Sequence, residues 1–242
     1  MIHKKTHEQI EAIKEVQIAT ESAMKAVIEY IQSTDNPTSE EAHKIIDKVL
    51  SENNCESPEG HIVAGGQQSA EPHEKGSGTL EKGVPIVIDI YPRSKTTGYF
   101  ADMSRTVCVG APSVELQKMY DAVLGAQELA LSMIKPKMKC SEIQTAVENF
   151  FKEKGYLTSG KGKEFKFAEG FVHSIGHGIG KDLHESPRFG RGSEDVLEEG
   201  DVVTVEPGLY YSKIGGIRLE DMILVTKNGA KNLTRFRKEF GV

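Results

Sequence analysis

Three histidines lie within twelve residues of one another in the segment 171–187, separated by small, flexible residues. The histidines are His173, His177 and His184, and the small residues between them are Ser174, Gly176, Gly178 and Gly180. Glycine lets a backbone approach another group closely, and neutral imidazole is the commonest metal ligand and a frequent general acid or base. One such histidine alone would be read as a surface or satisfied core side chain. Three among glycines favour a metal or catalytic centre with acidic partners elsewhere in the chain.

Four carboxylates occupy apolar, strand-like runs where a hydrophobic side chain is expected. They are Asp89 in Ile-Val-Ile-Asp-Ile, Asp102 in Tyr-Phe-Ala-Asp-Met, Glu206 in Val-Thr-Val-Glu-Pro-Gly and Glu220 in Ile-Arg-Leu-Glu-Asp-Met-Ile. Burying an ionised carboxylate without a partner is too costly to be incidental, so solvent-facing strand edges are the weaker interpretation. Together with neutral His177 these acids carry four negative charges, which two divalent ions would balance.

The composition of this ligand set predicts the kind of metal. Oxygen ligands with a single nitrogen disfavour a structural zinc site and favour Mn or Co, with Fe or Zn as alternatives. Without metal the neighbouring carboxylates would repel one another and their pKa values would rise. Two ions about 3.5–4 Å apart share a water, lower its pKa and stabilise a developing oxyanion. The set therefore predicts a dinuclear hydrolytic centre.

Bulk properties narrow the class of protein. The chain has 242 residues, of which 38% are hydrophobic and 27% charged, as in an ordinary globular protein. The formal net charge of -6 argues against a nucleic-acid partner. No apolar run suggests a membrane span or a signal peptide. The odd number of cysteines predicts neither a disulfide framework nor a zinc cluster, and a cytoplasmic location is expected.

The order of predicted elements repeats along the chain. Helices are predicted at 8–31, 40–50, 113–134 and 141–154, and strands at 62–64, 85–91, 98–109, around the histidines, at 202–211 and at 217–225. Thr38 or Ser39 is expected to cap the second helix, and Ser141 with Gln144 to form a capping box at the fourth. Residues 160–163 are predicted to form a loop at a hairpin tip. Two similar halves, with their strands in one sheet and helices on one side, give an α+β class.

These motifs, taken in their order, resemble the pita-bread-fold metallopeptidases, which include methionine aminopeptidases, Xaa-Pro aminopeptidases and prolidases. The resemblance extends over residues 8–226, and five ligand motifs in the right order make it highly specific. It implies two pseudo-symmetric halves with a curved antiparallel sheet and helices on its outer face. It also implies peptide substrates, and a metal-bridging water as the nucleophile.

The resemblance assigns roles to individual residues. The metal ligands would be Asp89, Asp102, His177, Glu206 and Glu220, with Asp102 and Glu220 bridging two ions. Glu206 would also shuttle a proton. The accessory histidines His173 and His184 would orient the substrate and stabilise the tetrahedral intermediate, and His73 would line the substrate site.

Arg218, two residues before Glu220, bears on specificity. Relatives that act before proline carry an arginine at the corresponding position, where methionine aminopeptidases usually lack one. It would orient a bridging carboxylate or receive a substrate carboxylate, and an ordinary strand-edge charge is the alternative. Against this stands the length: residues 1–242 are expected to form a single catalytic domain without the N-terminal accessory domain of Xaa-Pro relatives.

The leading hypothesis is a cytosolic, dinuclear Xaa-Pro aminopeptidase, monomeric or homodimeric. The alternatives are a methionine aminopeptidase, a prolidase-type dipeptidase, a creatine-type amidinohydrolase and a non-catalytic binding module on the same fold. Asp89 is followed by Ile90, Tyr91 and Pro92 instead of a small residue and glycine, which is expected to reshape the mouth of the site. Tyr210 and Tyr211 are interpreted mainly as packing residues, and residues 235–240 as a solvated tail.

Overall fold

The computed structural model describes residues 4–158 and 169–242, and the predicted loop at 160–163 lies outside them. The first half of the chain contains two helices followed by five strands. Their bounds are α1 (His7–Ser33), α2 (Ser39–Glu52), β1 (Cys55–Glu56), β2 (Ile62–Gly65), β3 (Ile86–Ile90), β4 (Arg93–Ser94) and β5 (Met103–Val107), with a short 3-10 helix (Gly66–Ala70) after β2.

The second half repeats the order of helices and strands. It consists of α3 (Val114–Met133), α4 (Cys140–Glu153), β6 (His177–Gly178), β7 (Glu185–Arg188), β8 (Val202–Val205), β9 (Gly208–Tyr211), β10 (Gly215–Arg218), β11 (Asp221–Thr226) and β12 (Gly229–Asn232). The predicted α+β class and the predicted helices are thus observed. Two predicted strands, 202–211 and 217–225, are each divided in two.

The helix starts follow from local capping. Thr6 and Gln9 form a reciprocal capping box at the start of α1. Thr38 caps α2 by accepting a hydrogen bond from the Glu41 amide at 3.3 Å, as the sequence predicts. The capping box predicted at α4 is wrong, because the helix begins at Cys140 and its N-cap residue makes no side-chain bond. Gln144 binds the histidine segment instead, where its Oε1 accepts a hydrogen bond from the Ile175 amide at 2.7 Å.

The strands form several antiparallel ladders instead of one continuous sheet. Among residues 4–158 and 169–242 the ladders are β2-β3-β5, β12-β11-β8-β6-β7, β9-β10 and β1-β4. The single sheet expected from the sequence is interrupted where Glu206-Pro207 separates β8 from β9 and where Leu219-Glu220 separates β10 from β11. Proline has no amide proton to donate to a ladder, which explains the first interruption. Both interruptions fall at predicted ligands.

Each half has its own hydrophobic core between helices and strands. Helices α1 and α2 pack on β2, β3 and β5, whereas α3 packs on β8, β9 and β10. The halves join where β5 meets the segment between β10 and β11, because the Glu220 amide donates to the Ser104 carbonyl at 3.0 Å. Thr106 and Arg218 add a second link, through the Thr106 hydroxyl and the Arg218 backbone. The fold therefore places the candidate carboxylates at the junction of the halves.

Two further expectations are decided by the structure. All three cysteines are free and buried. The segment 235–240 is not a solvated tail, since the Phe236 and Arg237 carbonyls accept hydrogen bonds from buried Arg105 and the Phe240 ring stacks on Tyr120. Within the described ranges, no helix combines the length and apolarity needed to traverse a bilayer.

Candidate metal centre

Strand pairing and strand ends bring the predicted site residues together. Asp89 on β3 pairs with Ser104 on β5, and Asp102 immediately precedes β5. From the second half, Glu206 follows β8 directly, and Glu220 lies between β10 and β11. Asp102, Glu206 and Glu220 lie where ladders end, whereas Asp89 is paired on both sides within β3. All four carboxylates line one cavity that both halves border.

Three residues form a compact buried group at this junction. Asp102, His177 and Glu220 each offer a ligand atom, and these atoms all lie within 4.8 Å of one another. The Asp102 Oδ2 atom is 3.7 Å from His177 Nε2, and Glu206 Oε1 is 3.6 Å from the same nitrogen. Four of the five predicted ligands therefore converge on one point, with His177 in the middle.

The orientation of His177 suits a metal ligand. Its Nδ1 atom lies 3.1 Å from the Gly178 carbonyl, so an Nδ1 proton would be donated there and the Nε2 lone pair would face the carboxylates. Burial lowers the pKa of His177 to about 3, which keeps the ring neutral. A ring nitrogen fixed by a second hydrogen bond is the usual arrangement behind a metal-binding imidazole.

The carboxylates are poorly compensated by the protein alone. Burial, and after it the neighbouring carboxylates, raise the pKa of Asp102 and Glu206 well above their ordinary values, and raise that of Glu220 to about 8. Within the described residues Asp102 Oδ1 and Glu220 Oε1 are buried without a hydrogen-bond partner. Orphaned oxygens among crowded acids are what a divalent cation would satisfy, so the residues fit a metal.

Asp89 differs from the other acids because protein groups already bind both of its oxygens. Ser104 Oγ donates to Oδ1 at 2.7 Å, and Arg218 Nη2 donates to Oδ2 at 2.7 Å. Asp89 lines the same cavity but lies outside the three-residue group. Carboxylate oxygens have further lone pairs, so a metal contact stays compatible with these bonds.

Arg218 is buried and acts on its neighbours through four hydrogen bonds. Besides Asp89, it donates to Ser104 Oγ at 2.8 Å, to the Tyr210 hydroxyl at 2.8 Å and to the Pro72 carbonyl at 3.1 Å. An ordinary strand-edge charge is therefore excluded. The structure shows Arg218 orienting a carboxylate, and the carboxylate it orients is that of Asp89.

The three accessory histidines occupy different environments. The His173 ring is engaged at both nitrogens, with Nε2 2.9 Å from the Tyr210 hydroxyl and Nδ1 2.8 Å from the Ser174 carbonyl. Burial lowers the pKa of His173 to about 4. The exposed His184 ring lies 4.3 Å from that of His177. His73, also exposed, lies on the wall from the first half. His173 lines the cavity too, but it is half-buried and engaged at both ring nitrogens, whereas His73 and His184 are exposed.

All of these groups border one cavity of about 500 Å³. Both halves contribute residues to its lining. Its lining consists of Glu59, Ile62, Pro72, His73, Lys75, Asp89, Tyr91, Asp102, His173, Ser174, Gly176, His177, Leu183, His184, Arg188, Phe189, Glu206, Arg218 and Glu220. Mixed apolar and charged walls with convergent polar groups are typical of a small-molecule site.

Several residues that build this site were not predicted from the sequence. Ser104 bonds to Asp89, Glu220 and Arg218 at once. Tyr210 packs in the core, as interpreted, but its hydroxyl also joins His173 to Arg218. The sequence signal for Ser104 is its place two residues after Asp102 in the strand predicted at 98–109, because strand residues two apart share one face.

A family model now decides what kind of protein this is: the model described as metallopeptidase family M24 matches residues 11–227. The chain belongs to that family. The match confirms the family resemblance and the pita-bread fold class expected from the sequence, and members of this family are divalent-metal hydrolases.

Individual relatives of this M24 chain share its whole extent. It is 37% identical over 237 residues to the Xaa-Pro dipeptidase of Pyrococcus furiosus and 38% identical over 230 residues to that of Pyrococcus horikoshii. These alignments cover 97% and 94% of this chain but 64% and 62% of the relatives. The chain thus spans less than two thirds of the length of these relatives.

Solved structures give the same result. The prolidase from Pyrococcus furiosus matches with a TM-score of 0.87 at 36% identity, covering 98% of this chain and 66% of the other. An X-Pro aminopeptidase from Thermotoga maritima matches with a TM-score of 0.85 at 32% identity, covering 99% of this chain and 64% of the other. The M24 chain is therefore similar both to dipeptidases and to an aminopeptidase of the Xaa-Pro group.

Proposed function

We propose that this chain carries the active site of a divalent-metal-dependent peptidase that cleaves Xaa-Pro dipeptides. The observation that carries the proposal is the buried group of Asp102, His177 and Glu220, in which two carboxylate oxygens within the described residues lack a partner. The substrate class is supported by relatives named Xaa-Pro dipeptidase, at 37% and 38% identity. They shift the preference from the aminopeptidase favoured by the sequence to the dipeptidase kept there as an alternative.

An Xaa-Pro aminopeptidase remains the second candidate, supported by the likeness to the Thermotoga maritima structure. Arg218 disfavours the methionine aminopeptidase, because those enzymes usually lack an arginine at this position. Here the Arg218 guanidinium is part of the site and binds Asp89. A non-catalytic binding module is disfavoured, since the four acids and the one histidine of the predicted ligand set all line one cavity.

The metal-binding proposal assigns two divalent ions to five residues. The ions would be Mn or Co, with Fe or Zn as alternatives, and Asp102 and Glu220 would bridge them. The full ligand set is Asp89, Asp102, His177, Glu206 and Glu220. When bound, such ions supply a Lewis acid for the scissile carbonyl and activate water for attack at neutral pH.

The proposed proton transfers run through Glu206. Burial raises the pKa of Glu206 above its ordinary value, which makes its carboxylate a better acceptor for a proton of the attacking water. That proton passes to the proline nitrogen as the carbon–nitrogen bond breaks. His73, from the first half, and His184, from the second half, orient the substrate in the cavity. His173 holds Tyr210, and through it Arg218, in place.

The size of the site agrees with a small peptide. A cavity of about 500 Å³ is in the range of ordinary ligand pockets and accommodates a dipeptide. Residues 1–242 are proposed to act as one metallopeptidase unit. A cytoplasmic location and a monomeric or homodimeric state stay predictions, as does the lack of nucleic-acid or membrane partners.

A hydrolysis panel with metal add-back tests the proposal. The chain is stripped with a chelator, reconstituted with Mn, Co, Fe or Zn, and assayed on Ala-Pro, on a longer Xaa-Pro peptide and on Met-Ala. We expect metal-restored cleavage of Ala-Pro, weak or no cleavage of the longer peptide and none of Met-Ala. Bound metal is counted in parallel by elemental analysis, with two ions per chain expected.

Each other outcome has a defined meaning. Preferential cleavage of the longer peptide would establish the aminopeptidase, and cleavage of Met-Ala alone would overturn the proline preference. Stoichiometric metal binding without any hydrolysis would favour the non-catalytic binding module over the peptidase. A single ion per chain would contradict the dinuclear site and limit it to the compact group of Asp102, His177 and Glu220.

A further inference from the structure

We propose that Lys75 is a specificity-determining cation that contacts the substrate's C-terminal carboxylate, and that Tyr91 positions it. Both residues line the cavity on the wall supplied by the first half. The inference rests on the proposed dipeptidase function and concerns the same cavity.

The Lys75 side chain is fixed at its charged end. Its Nζ atom donates to the Glu59 carbonyl at 2.8 Å and makes a short hydrogen bond to the Tyr91 hydroxyl. Lys75 is exposed, yet its ammonium is held by these two acceptors, although holding a long side chain in one conformation costs entropy. An ammonium has three N–H donors, and within the described residues two of them are used in this way. The third is available to a ligand in the cavity.

The backbone around Lys75 is equally constrained. Its carbonyl accepts a hydrogen bond from the Val63 amide at 2.9 Å and lies 3.0 Å from His43 Nε2. A Cβ at the next residue, Gly76, would lie 1.8 Å from the Val63 carbonyl oxygen, so only glycine lets the segment run this close to β2. Lys75 is therefore held at both ends, as expected of a preorganised binding group.

Tyr91 is the unusual residue in this arrangement. It lies two positions after Asp89, where the sequence departs from the small residue and glycine of the common pattern. Its ring is buried in the hydrophobic core of the first half, and the residue also lines the cavity. Tyr91, one of the residues after Asp89 that are expected to reshape the mouth of the site, thus holds the Lys75 ammonium.

A dipeptide brings a free carboxylate close to the scissile bond, and this cavity is strongly acidic. Four acids of the proposed ligand set line it, so an entering carboxylate is repelled unless a cation receives it. Arg218 is committed to four acceptors inside the fold. Lys75 and Arg188 are the other two cationic side chains in the described lining. Of these two, Lys75 is the one held by a second side chain of the cavity wall.

The test compares binding of a carboxylate with binding of its amide. The ligands are an Ala-Pro analogue in which a methylene replaces the scissile carbonyl, and the C-terminal amide of that analogue. Neither is hydrolysed, so calorimetry on the Mn-loaded full chain reports binding alone. We expect the wild type to prefer the acid roughly tenfold, as for a charge-assisted contact, and Lys75→Met to lose this preference. Lys75→Arg should restore part of it, and Tyr91→Phe should reduce it roughly threefold.

Controls separate this inference from a structural effect and from the proposed function. Lys44→Met, on an exposed lysine of α2, should leave the acid-to-amide ratio unchanged. A wild type that binds the acid no better than the amide, or binds neither, would overturn the proposal. So would a Lys75→Met variant that keeps the preference, or a preference lost only in Arg188→Met. Ala-Pro hydrolysis is measured in parallel, and its absence with the acid preference intact would reject the dipeptidase but not the Lys75 contact.

Discussion

Two buried arginines flank the junction of the halves and carry the same charge, yet they are used differently. Arg105 lies on β5 and is 2% exposed, and Arg218 ends β10 and is 4% exposed. Arg105 donates to five acceptors, of which four are backbone carbonyls: those of Ser104, Glu220, Phe236 and Arg237, together with the Asp221 carboxylate. Arg218 donates mainly to side chains around the cavity.

The difference separates a structural arginine from a functional one. Arg105 ties the backbone around Glu220 to the C-terminal segment, and its carboxylate partner Asp221 is fully buried and also binds Lys238 at 2.7 Å. Arg218 instead neutralises Asp89 and leaves Glu220 and Asp102 uncompensated. The two sides of one junction thus have opposite electrostatics, with two cations, Arg105 and Lys238, against the one carboxylate of Asp221 and with acids in excess around Arg218.

The largest expected effect is on stability, from Arg105→Lys. An ammonium has fewer and differently directed donors than a guanidinium, so several buried carbonyls would be left without a partner. Three ammonium donors leave at least two of the five acceptors unserved, so we expect the free energy of unfolding in urea to fall by about 2–6 kcal/mol, at about 1–3 kcal/mol for each. Any remaining folded protein should keep its acid-to-amide preference, because Arg105 does not line the cavity.

Arg237→Lys is the matched control for this variant. Its exposed guanidinium pairs with Glu239 at 3.1 Å, and exposed pairs contribute little. The free energy of unfolding should change by less than about 0.5 kcal/mol. If Arg105→Lys were no more destabilising than this control, the structural half of the comparison would fail.

The second effect is functional, from Arg218→Lys. The charge next to Asp89 is kept, but one ammonium cannot hold Asp89, Ser104 and Tyr210 together. Loss of such an outer partner typically lowers metal affinity or activity by about 10–100-fold. We expect a decrease of this size in Mn affinity, measured by competition with a chelator, and in kcat/KM for Ala-Pro.

Stability distinguishes the two arginines within this second experiment. Arg218→Lys should be clearly less destabilising than Arg105→Lys, since Arg218 itself lines the cavity with its partners Asp89 and Pro72, where water can replace a lost hydrogen bond. A variant with unchanged Mn affinity but a loss of stability as large as that of Arg105→Lys would show that both arginines are structural, and the comparison would collapse.

How far the sequence determined these conclusions depends on the range of each interaction. The four helices and the positions of Asp89, Asp102, His177, Glu206 and Glu220 along the chain follow from local patterns, namely periodicity and acids in apolar runs. The role of Arg105 was not predicted. Its acceptors lie up to 132 positions away along the chain, and no local pattern marks a carbonyl as an acceptor.

The incorrect predictions have the same origin. The charges of the C-terminal segment 235–240 predict that it is solvated. Its carbonyls accept hydrogen bonds from Arg105 instead, and the sequence does not indicate which carbonyls a distant arginine will bind. Gln144 was assigned to a local cap because the spacing suits one, but its amide is used 31 positions away by the histidine segment. The strand divisions at Glu206 and Glu220 were missed because an uninterrupted apolar run does not show where pairing stops.

The smallest predicted effect concerns pH and the uncompensated side of the junction. In metal-free protein the pKa of Glu220 is raised from 4.5 to about 8, so between these values the folded chain binds more protons than the unfolded one. The free energy of unfolding must then fall as the pH rises. His177, with its pKa lowered to about 3, has the opposite effect only up to its ordinary value of 6.5. Above that pH the carboxylates act alone.

We therefore expect the chelator-stripped protein to lose about 1–2 kcal/mol of stability between roughly pH 6.5 and 8, as measured by urea unfolding. Glu220→Gln should flatten this dependence, whereas Glu29→Gln, on the exposed face of α1, should not alter it. Mn should remove the fall in the wild type, because metal binding favours the ionised carboxylates. Two results would contradict this prediction: a wild-type free energy of unfolding that stays constant or rises over this range, or an undiminished decrease in Glu220→Gln. Either would mean that the acids beside Arg218 are as well compensated as Asp221 beside Arg105. The contrast between the two arginines would then be one of position and not of charge.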